Sequence, residues 1–346
     1  MLTTRNACNT LTLTARAPAK LIISGEHSVL YEQPAIAMAV NRYTNTTISQ
    51  QDTAHVNFKL LDLNYIEACT AHSLNELAKT LRQKYKNFLN GRETIRNVMQ
   101  HPFELLQYTV ANLFDSLNLE LPFGMEITVN SSVPIGCGMG SSAAAVVSTL
   151  HALVNMLQMK WQNHEYLAFS KQIENLQHGK SSGLDLHLVT NGGCVRFIAG
   201  TAQACPAPNF AMYLVNTGKP VSNTGECVTH VGSILTDKGL VSEFGAVTNS
   251  IEQAIFNHNL NDFKSGIKQN HQLLQRIGVV PQKVATFIAA IEQAGGAAKI
   301  CGAGAIAGEQ AGVVLLVGDN SLTRIVHEYG YSVQTIEVDN YGSRVL

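Results

Sequence analysis

The stretch Val133-Pro134-Ile135-Gly136-Cys137-Gly138-Met139-Gly140-Ser141-Ser142-Ala143-Ala144-Ala145 decides how this sequence folds. Before it, Met125, Ile127 and Val129 alternate with Glu126, Thr128 and Asn130, the period-2 pattern of a strand. After it, good helix formers run from Ala143 to about Met159. Three glycines at alternate positions let the backbone turn sharply and approach a ligand closely. Serines at a helix start cap free N–H groups. A helix N-terminus carries unpaired donors and partial positive charge, so it favours anions. The pattern predicts a strand, a phosphate-cradling loop and a helix. The plainer alternative is a glycine-rich turn ahead of a capped core helix.

The chain around this stretch has 346 residues, 45 % hydrophobic and 14 % charged, enough for a sizeable core and, by length, about two domains. The loop-like, proline-bearing residues 200–210 mark the expected boundary, dividing 1–205 from 206–346. The net charge is −1, and no basic stripe interleaves with aromatics, which argues against a nucleic-acid partner. Met1 to Ala15 is polar and threonine-rich, unlike a signal peptide. The longest apolar runs, such as Ala35–Val40, are strand-sized and far short of the ~20 residues of a membrane span. The seven cysteines (Cys8, Cys69, Cys137, Cys194, Cys205, Cys227, Cys301) are scattered without a C-x-x-C pair. That usage predicts reduced thiols in the cytoplasm and no zinc site.

Taken in order, residues 11–23 predict two short strands broken at Pro18. Further strands are expected at Pro34–Val40, Thr44–Ser49 and Val56–Leu63. Ser73 and Glu76 have the spacing of a capping box and predict a helix starting there. The basic run Lys79–Lys86 on that helix reads as a solvated face. Helices are also expected at about Phe103–Leu117 and at Glu165–Gln177, the latter stopped by Gly179. Leu186–Val189 reads as a strand ahead of a Gly192-Gly193 turn. In the second half, strands are expected at Met212–Val215, Val313–Val317 and Ser332–Val338, and helices at 249–258, 261–276, 281–294 and 321–328.

Three known motifs fail on context. The Gly136–Ser142 loop is no Walker A loop, because no lysine follows Gly140; its cation must come from elsewhere. Gly302-Ala303-Gly304-Ala305-Ile306-Ala307-Gly308 looks like a dinucleotide fingerprint but leaves no room for a helix before Val313. Gly179-Lys180-Ser181-Ser182-Gly183 fits Gly-x-Ser-x-Gly but follows a polar helix rather than a buried strand. Among the remaining polar residues, Lys20 precedes Leu21, Ile22 and Ile23, which do not alternate, so both faces are covered. A lysine there needs a partner. Alone, Asp185 reads as a turn or cap residue, Glu174 as a solvent-facing helix residue, and His27, His178 and His271 as surface or satisfied core histidines.

Together these stretches are more specific. Ala17-Pro18-Ala19-Lys20, followed by Gly25-Glu26-His27, Val29-Leu30 and Pro34-Ala35, resembles the first motif of the GHMP small-molecule kinases. Pro134-Ile135-Gly136-Cys137-Gly138-Met139-Gly140-Ser141-Ser142-Ala143-Ala144 resembles their ATP-phosphate motif. His178-Gly179-Lys180-Ser181-Ser182-Gly183-Leu184-Asp185 resembles the segment bearing their catalytic aspartate, and Lys299-Ile300-Cys301-Gly302-Ala303-Gly304 the start of their third motif. The resemblance spans the whole chain in order. It implies an α+β two-domain fold: an N-terminal α/β domain like ribosomal protein S5 domain 2, and a C-terminal ferredoxin-like domain.

It also implies roles. Pro134, Gly136, Gly138, Met139, Gly140, Ser141 and Ser142 would hold ATP, and Ser142 with Glu174 would hold Mg²⁺. Asp185 would take the acceptor hydroxyl's proton, with Lys20 beside it. Lys20, Glu26, His27, Asp185 and Thr224 would bind the acceptor. Within the superfamily the Gly25-Glu26-His27 turn is most similar to the branch acting on mevalonate, which implies 5-phosphomevalonate and ADP as products, in isoprenoid precursor biosynthesis. The alternatives are another kinase of the superfamily, for phosphomevalonate or a sugar, and a non-catalytic ligand-binding relative. Family precedent implies a homodimer. Two positions depart from the pattern. Cys301 and Ala305-Ile306 replace residues usual in the third motif, and Gly225 follows Asn223-Thr224 where an arginine is usual.

Overall fold

The computed structural model describes residues 11–346; Cys8 and the stretch before Leu11 lie outside the described residues. Strands β1 (Thr12–Ser24), β2 (Ala35–Gln51), β3 (His55–Leu60), β4 (Tyr65–Thr70), β5 (Gly124–Ser131), β6 (Cys194–Ile198) and β7 (Thr201–Ala204) belong to a first sheet. A second sheet holds β8 (Met212–Asn216), β9 (Ala297–Ile300), β10 (Val313–Val317) and β11 (Ser332–Thr335). The chain then returns to the first sheet with β12 (Arg344–Val345), which pairs with β1.

The first sheet runs β12-β1-β2-β5-β3-β4, with β6 on β2 and β7 on β6. Among the described residues, only β3 and β5 pair parallel. The second sheet runs β11-β8-β10-β9 and is antiparallel throughout, the ferredoxin-like strand order. Helices α1 (Ala71–Leu89), α2 (Glu104–Ser116), α3 (Ser141–Met156), α4 (Asn163–His178) and α5 (Leu184–Asn191) accompany the first sheet. Helices α6 (Thr224–Ile234), α7 (Lys238–Phe256), α8 (Leu260–Arg276), α9 (Gln282–Gln293) and α10 (Thr323–Glu328) accompany the second. This is the α+β fold expected from the resemblance. One apolar core joins the layers: Leu21, Ile23, Ile36 and Met38 of the first sheet share it with Phe244, Phe263, Ile300 and Leu316. Burying that continuous surface fixes the layers against each other. No helix of the described residues is long and apolar enough to cross a membrane.

The local expectations fail in instructive ways. Pro18 does not break β1 but sits at a register shift against β2, since a proline lacks a ladder donor and is tolerated at a bulge. The two strands expected at Pro34–Ser49 are one long β2. Helix α1 starts at Ala71, capped by Thr70 with Ser73 as the reciprocal partner; Glu76 pairs instead with Lys79 at 2.9 Å. Leu186–Val189 is not a strand but lies in α5, whose Leu184, Leu186, Leu188 and Val189 are all buried. Leu184, Leu186 and Leu188 alternate with Asp185 and His187, a period-2 pattern that imitates a strand in so short a helix. Helix α7 begins at Lys238, well before residue 249; β4, β6, β9, β12 and α6 have no counterpart among the expected elements, and β7 forms inside the stretch 200–210 expected as loop, where it pairs with β6.

Candidate active site

The glycine-rich loop joins β5 to α3 and is fixed by β1. The Lys20 N–H donates to the Met139 carbonyl at 3.0 Å. Small residues allow this closeness: Ala17, Ala143 and Ala144 pack with Leu186 and Val189, so the first turn of α3 and all of α5 sit tight on β1. Gly140 is the N-cap residue of α3, with φ +71°. A Cβ there would lie 3.0 Å from Lys20 Cγ and 3.4 Å from Asp185 Oδ2. Both the left-handed backbone and the space require glycine. The sequence predicts a serine cap for α3, but Gly140 takes the cap position and leaves Ser141 and Ser142 inside the first turn.

That placement brings Lys20 and Asp185 together. The Lys20 Nζ lies 3.1 Å from Asp185 Oδ1, and the side chains are 7 % and 34 % exposed. The ammonium is thus buried and neutralised, while the carboxylate keeps a face open to an incoming group. Asp185 gets its position from the first turn of α5.

Glu174, on α4, completes this cluster. It is 3 % exposed, and its Oε1 has no hydrogen-bond partner. Burial raises its pKa above the usual carboxylate range; His178, a hydrogen bond with Ser142, and Lys20 oppose the rise, and Asp185 adds to it. His178 Nε2 lies 3.6 Å from Oε2. A buried carboxylate with one open oxygen beside a serine hydroxyl suits a hard, oxygen-seeking cation. Among the described residues no group of three His, Cys, Asp or Glu side chains forms a metal cage. Mg²⁺ does not need one, since it keeps waters and takes oxygens from phosphates.

The Gly25-Glu26-His27 turn lies on the other side of Lys20. His27 has φ +60°, uncommon for a residue with a side chain. Its Nε2 lies 3.0 Å from the Ala303 carbonyl, which can only accept, so Nε2 carries a proton. Burial holds the His27 pKa below its ordinary value, opposed by that bond. Glu26 is 2 % exposed and forms an ion pair with the fully buried Lys299 of β9. Lys299 Nζ also donates to the Ile22 carbonyl at 3.3 Å. Burial pushes the Glu26 carboxyl up, and Lys299 opposes it. One carboxylate oxygen, Oε2, is left without a partner.

The third glycine segment links these parts. Gly302 packs on Gly138, where a Cβ would come within 3.1 Å of its Cα. Ala305, buried, donates to the Val279 carbonyl at 2.9 Å, and Ile306 N–H donates to Ser222 Oγ at 3.2 Å. The segment is a loop between β9 and β10 with no helix, which removes the dinucleotide reading. Helix α4 precedes Ser181, so the hydrolase reading fails as well, although a helix rather than a strand follows.

The structure therefore gathers Lys20, Gly140, Ser142, Glu174 and Asp185 at one place, with Glu26 close enough for Lys20 to influence its charge. Pro134, Gly136, Gly138, Met139 and Ser141 lie on the same loop and helix start. His27 is held by the third glycine segment, and Thr224 begins α6, exposed, on a loop bonded to that segment through Ser222. Sequence reasoning missed Lys299. It stands amid Ala297, Ala298 and Ile300, the same apolar surroundings that singled out Lys20.

The fold and this cluster define a small-molecule kinase of the GHMP type, and the comparisons agree. Residues 104–193 match the family model described as "GHMP kinases N terminal domain", and that part of the chain resembles the GHMP kinase superfamily. Within it, the chain is similar to mevalonate kinases. It is 25 % identical to that of Pyrococcus abyssi, over 84 % of this chain and 85 % of the relative. With that of Methanocaldococcus jannaschii it shares 26 %, over 83 % and 87 %. The crystal structure of the Methanococcus jannaschii mevalonate kinase superposes with a TM-score of 0.80, at 23 % identity, covering 97 % of this chain and 100 % of that one.

Proposed function

We propose that the protein transfers the terminal phosphoryl group of ATP to the 5-hydroxyl of mevalonate, giving 5-phosphomevalonate and ADP. The observation that carries this is the Lys20–Asp185 pair, 3.1 Å apart and pressed against Gly140 at the end of the phosphate loop. Phosphoryl transfer needs positioning and charge neutralisation more than covalent chemistry. The loop from Pro134 to Ser142 offers backbone N–H groups and the α3 N-terminus to the phosphates. Asp185 accepts the proton of the acceptor hydroxyl, and Lys20, paired with that carboxylate, faces the charge developing on the transferred group. Ser142 and Glu174 would hold Mg²⁺, which when bound neutralises phosphate charge. Glu26, His27 and Thr224 line the acceptor side.

We assign residues 1–205 to the nucleotide-binding domain and 206–346 to the domain that closes over it. The first sheet's strands up to Ala204 and the second sheet's start at Met212 support this division. We place the reaction in the cytoplasm, supported by free thiols at all six cysteines of the described residues. The homodimer expected from family precedent is checked by light scattering.

The test is ADP release with ATP, Mg²⁺ and a panel of mevalonate, phosphomevalonate, galactose and homoserine. Turnover confined to mevalonate is the expected result. Turnover on another acceptor reassigns the substrate, and nucleotide binding without turnover on any acceptor favours a non-catalytic relative.

A further inference from the structure

The phosphate loop has two ends, and so far only one has a cation. At the Gly140 end stands Lys20, already paired with Asp185. At the Gly136 end, a Cβ on the glycine would lie 3.5 Å from Lys219 Cε. Lys219 belongs to the connection between β8 and α6, in the other layer of the molecule. We propose that Lys219 is a second phosphate-binding cation, which grips the non-transferred phosphates of a nucleoside triphosphate at the loop end remote from Asp185. The proposal rests on the kinase reading for its phosphate donor.

The position of Lys219 is built. Thr217 N–H donates to the Gly312 carbonyl at 2.9 Å, and Gly312 N–H donates to the Gly218 carbonyl at 3.0 Å. Thr217 Oγ1 adds a bond to the Gly312 carbonyl at 2.8 Å and accepts from Ala311 N–H at 3.0 Å. Gly312 in turn abuts the phosphate loop, where a Cβ on it would lie 3.3 Å from Cys137 Cα. The backbone just before Lys219 is therefore fastened to the loop that its side chain overhangs.

The side chain itself is unclaimed. Lys219 is exposed and forms no salt bridge among the described residues. Its charge reaches the loop: burial pushes the Cys137 thiol up, and Lys219 draws it back. An unpaired ammonium over a row of backbone N–H donors makes one continuous anion site. Lys219 contacts phosphates that stay on the nucleotide, so it holds ADP as well as ATP. Lys20, at the transfer end, acts on the phosphoryl group in flight.

The two cations are thus separable by measurement. In Lys219→Met, the Kd for ADP with Mg²⁺, read by calorimetry, is expected to rise roughly tenfold, the loss of one charge-assisted contact at a partly exposed site. The KM for ATP should rise by a similar factor, with kcat and the KM for mevalonate nearly unchanged. Lys219→Arg should restore ADP affinity, and an unchanged thermal transition should show that the variant is folded. Unchanged ADP affinity in Lys219→Met overturns the proposal. So does a loss confined to the KM for mevalonate, which would move Lys219 to the acceptor side. If wild-type protein binds ADP and loses that binding with Lys219→Met but turns over no acceptor, the kinase reading fails and the phosphate site stands. Wild-type protein that binds no ADP sinks both.

Discussion

Replacing Lys299 with methionine tests how the acceptor turn is held. Methionine keeps much of the stem's volume and removes only the charge. In the wild-type protein Lys299 is fully buried, Glu26 is 2 % exposed, and each is the other's counter-ion. Removing one partner of a buried pair costs about 3–5 kcal/mol, because the remaining charge is uncompensated. At roughly 2–4 °C per kcal/mol for domains of ordinary size, the unfolding transition should fall by roughly 6–20 °C. Glu26 has an escape. Its pKa is already raised by burial, and losing Lys299 removes the main opposition, so the carboxyl rises further. A carboxyl with a raised folded-state pKa stabilises the fold fully below the unfolded value near 4.5, and that contribution is lost as pH rises through the folded value. Lys299→Met should therefore cost much less at pH 5.5 than at pH 8. Adding Glu26→Gln should recover most of the loss at pH 8, since a pair removed whole is far less costly than a pair broken. Scanning calorimetry of both variants at both pH values is the assay. A loss below about 1 kcal/mol, or an equal loss at both pH values, refutes the buried-pair account.

Three further outcomes are expected. Asp185→Asn should lower turnover by about 10²–10⁴ while ADP binding persists; near-wild-type turnover removes Asp185 as the base. Glu174→Ala should shift the Mg²⁺ dependence of activity to higher concentration, and a superimposable titration takes Glu174 out of the metal site. His151 and His271 are buried, with pKa values lowered to about 4. Each stabilises the fold fully above the ordinary value of 6.5 and loses that contribution as pH falls toward 4, up to roughly 3 kcal/mol apiece. Chemical denaturation from pH 7 to pH 4 should show falling stability, flattened in His151→Gln; a flat wild-type profile contradicts it.

The sequence announced what depends on spacing and local chemistry. Alternating residues before Pro134 and glycines after it define β5 and a glycine-rich loop ahead of α3, and both form as expected. The unalternating run after Lys20 announced a covered strand, and Leu21, Ile22 and Ile23 are buried. What stayed hidden depends on contacts distant in sequence. Helix α5 looks like a strand because its leucines alternate with Asp185 and His187, and only the packing of Leu186 and Val189 on β1 shows it to be a helix face. Glu26 reads from the resemblance as an acceptor ligand, and nothing local shows that β9 delivers Lys299 to it. Lys219 carries no signal at all, because an exposed lysine in a loop acquires meaning only when Gly312 docks on Cys137. Capping by Ser141 and Ser142 was expected from residue preference, but the left-handed Gly140 takes the cap position.

Strand β12 has a further consequence. It pairs Arg344 and Val345 with Arg16 and Ala15 on the outer side of β1, the strand that carries Lys20. During synthesis β1 leaves the ribosome early, and the segment that covers its edge leaves late. Until then β1 offers an open ladder of donors and acceptors to any neighbouring chain. Long-range closures of this kind are slow and expose folding intermediates to aggregation. A nascent chain halted before residue 344 should thus hold the phosphate loop and its helix, yet lack the edge strand that fixes the lysine's own strand from outside.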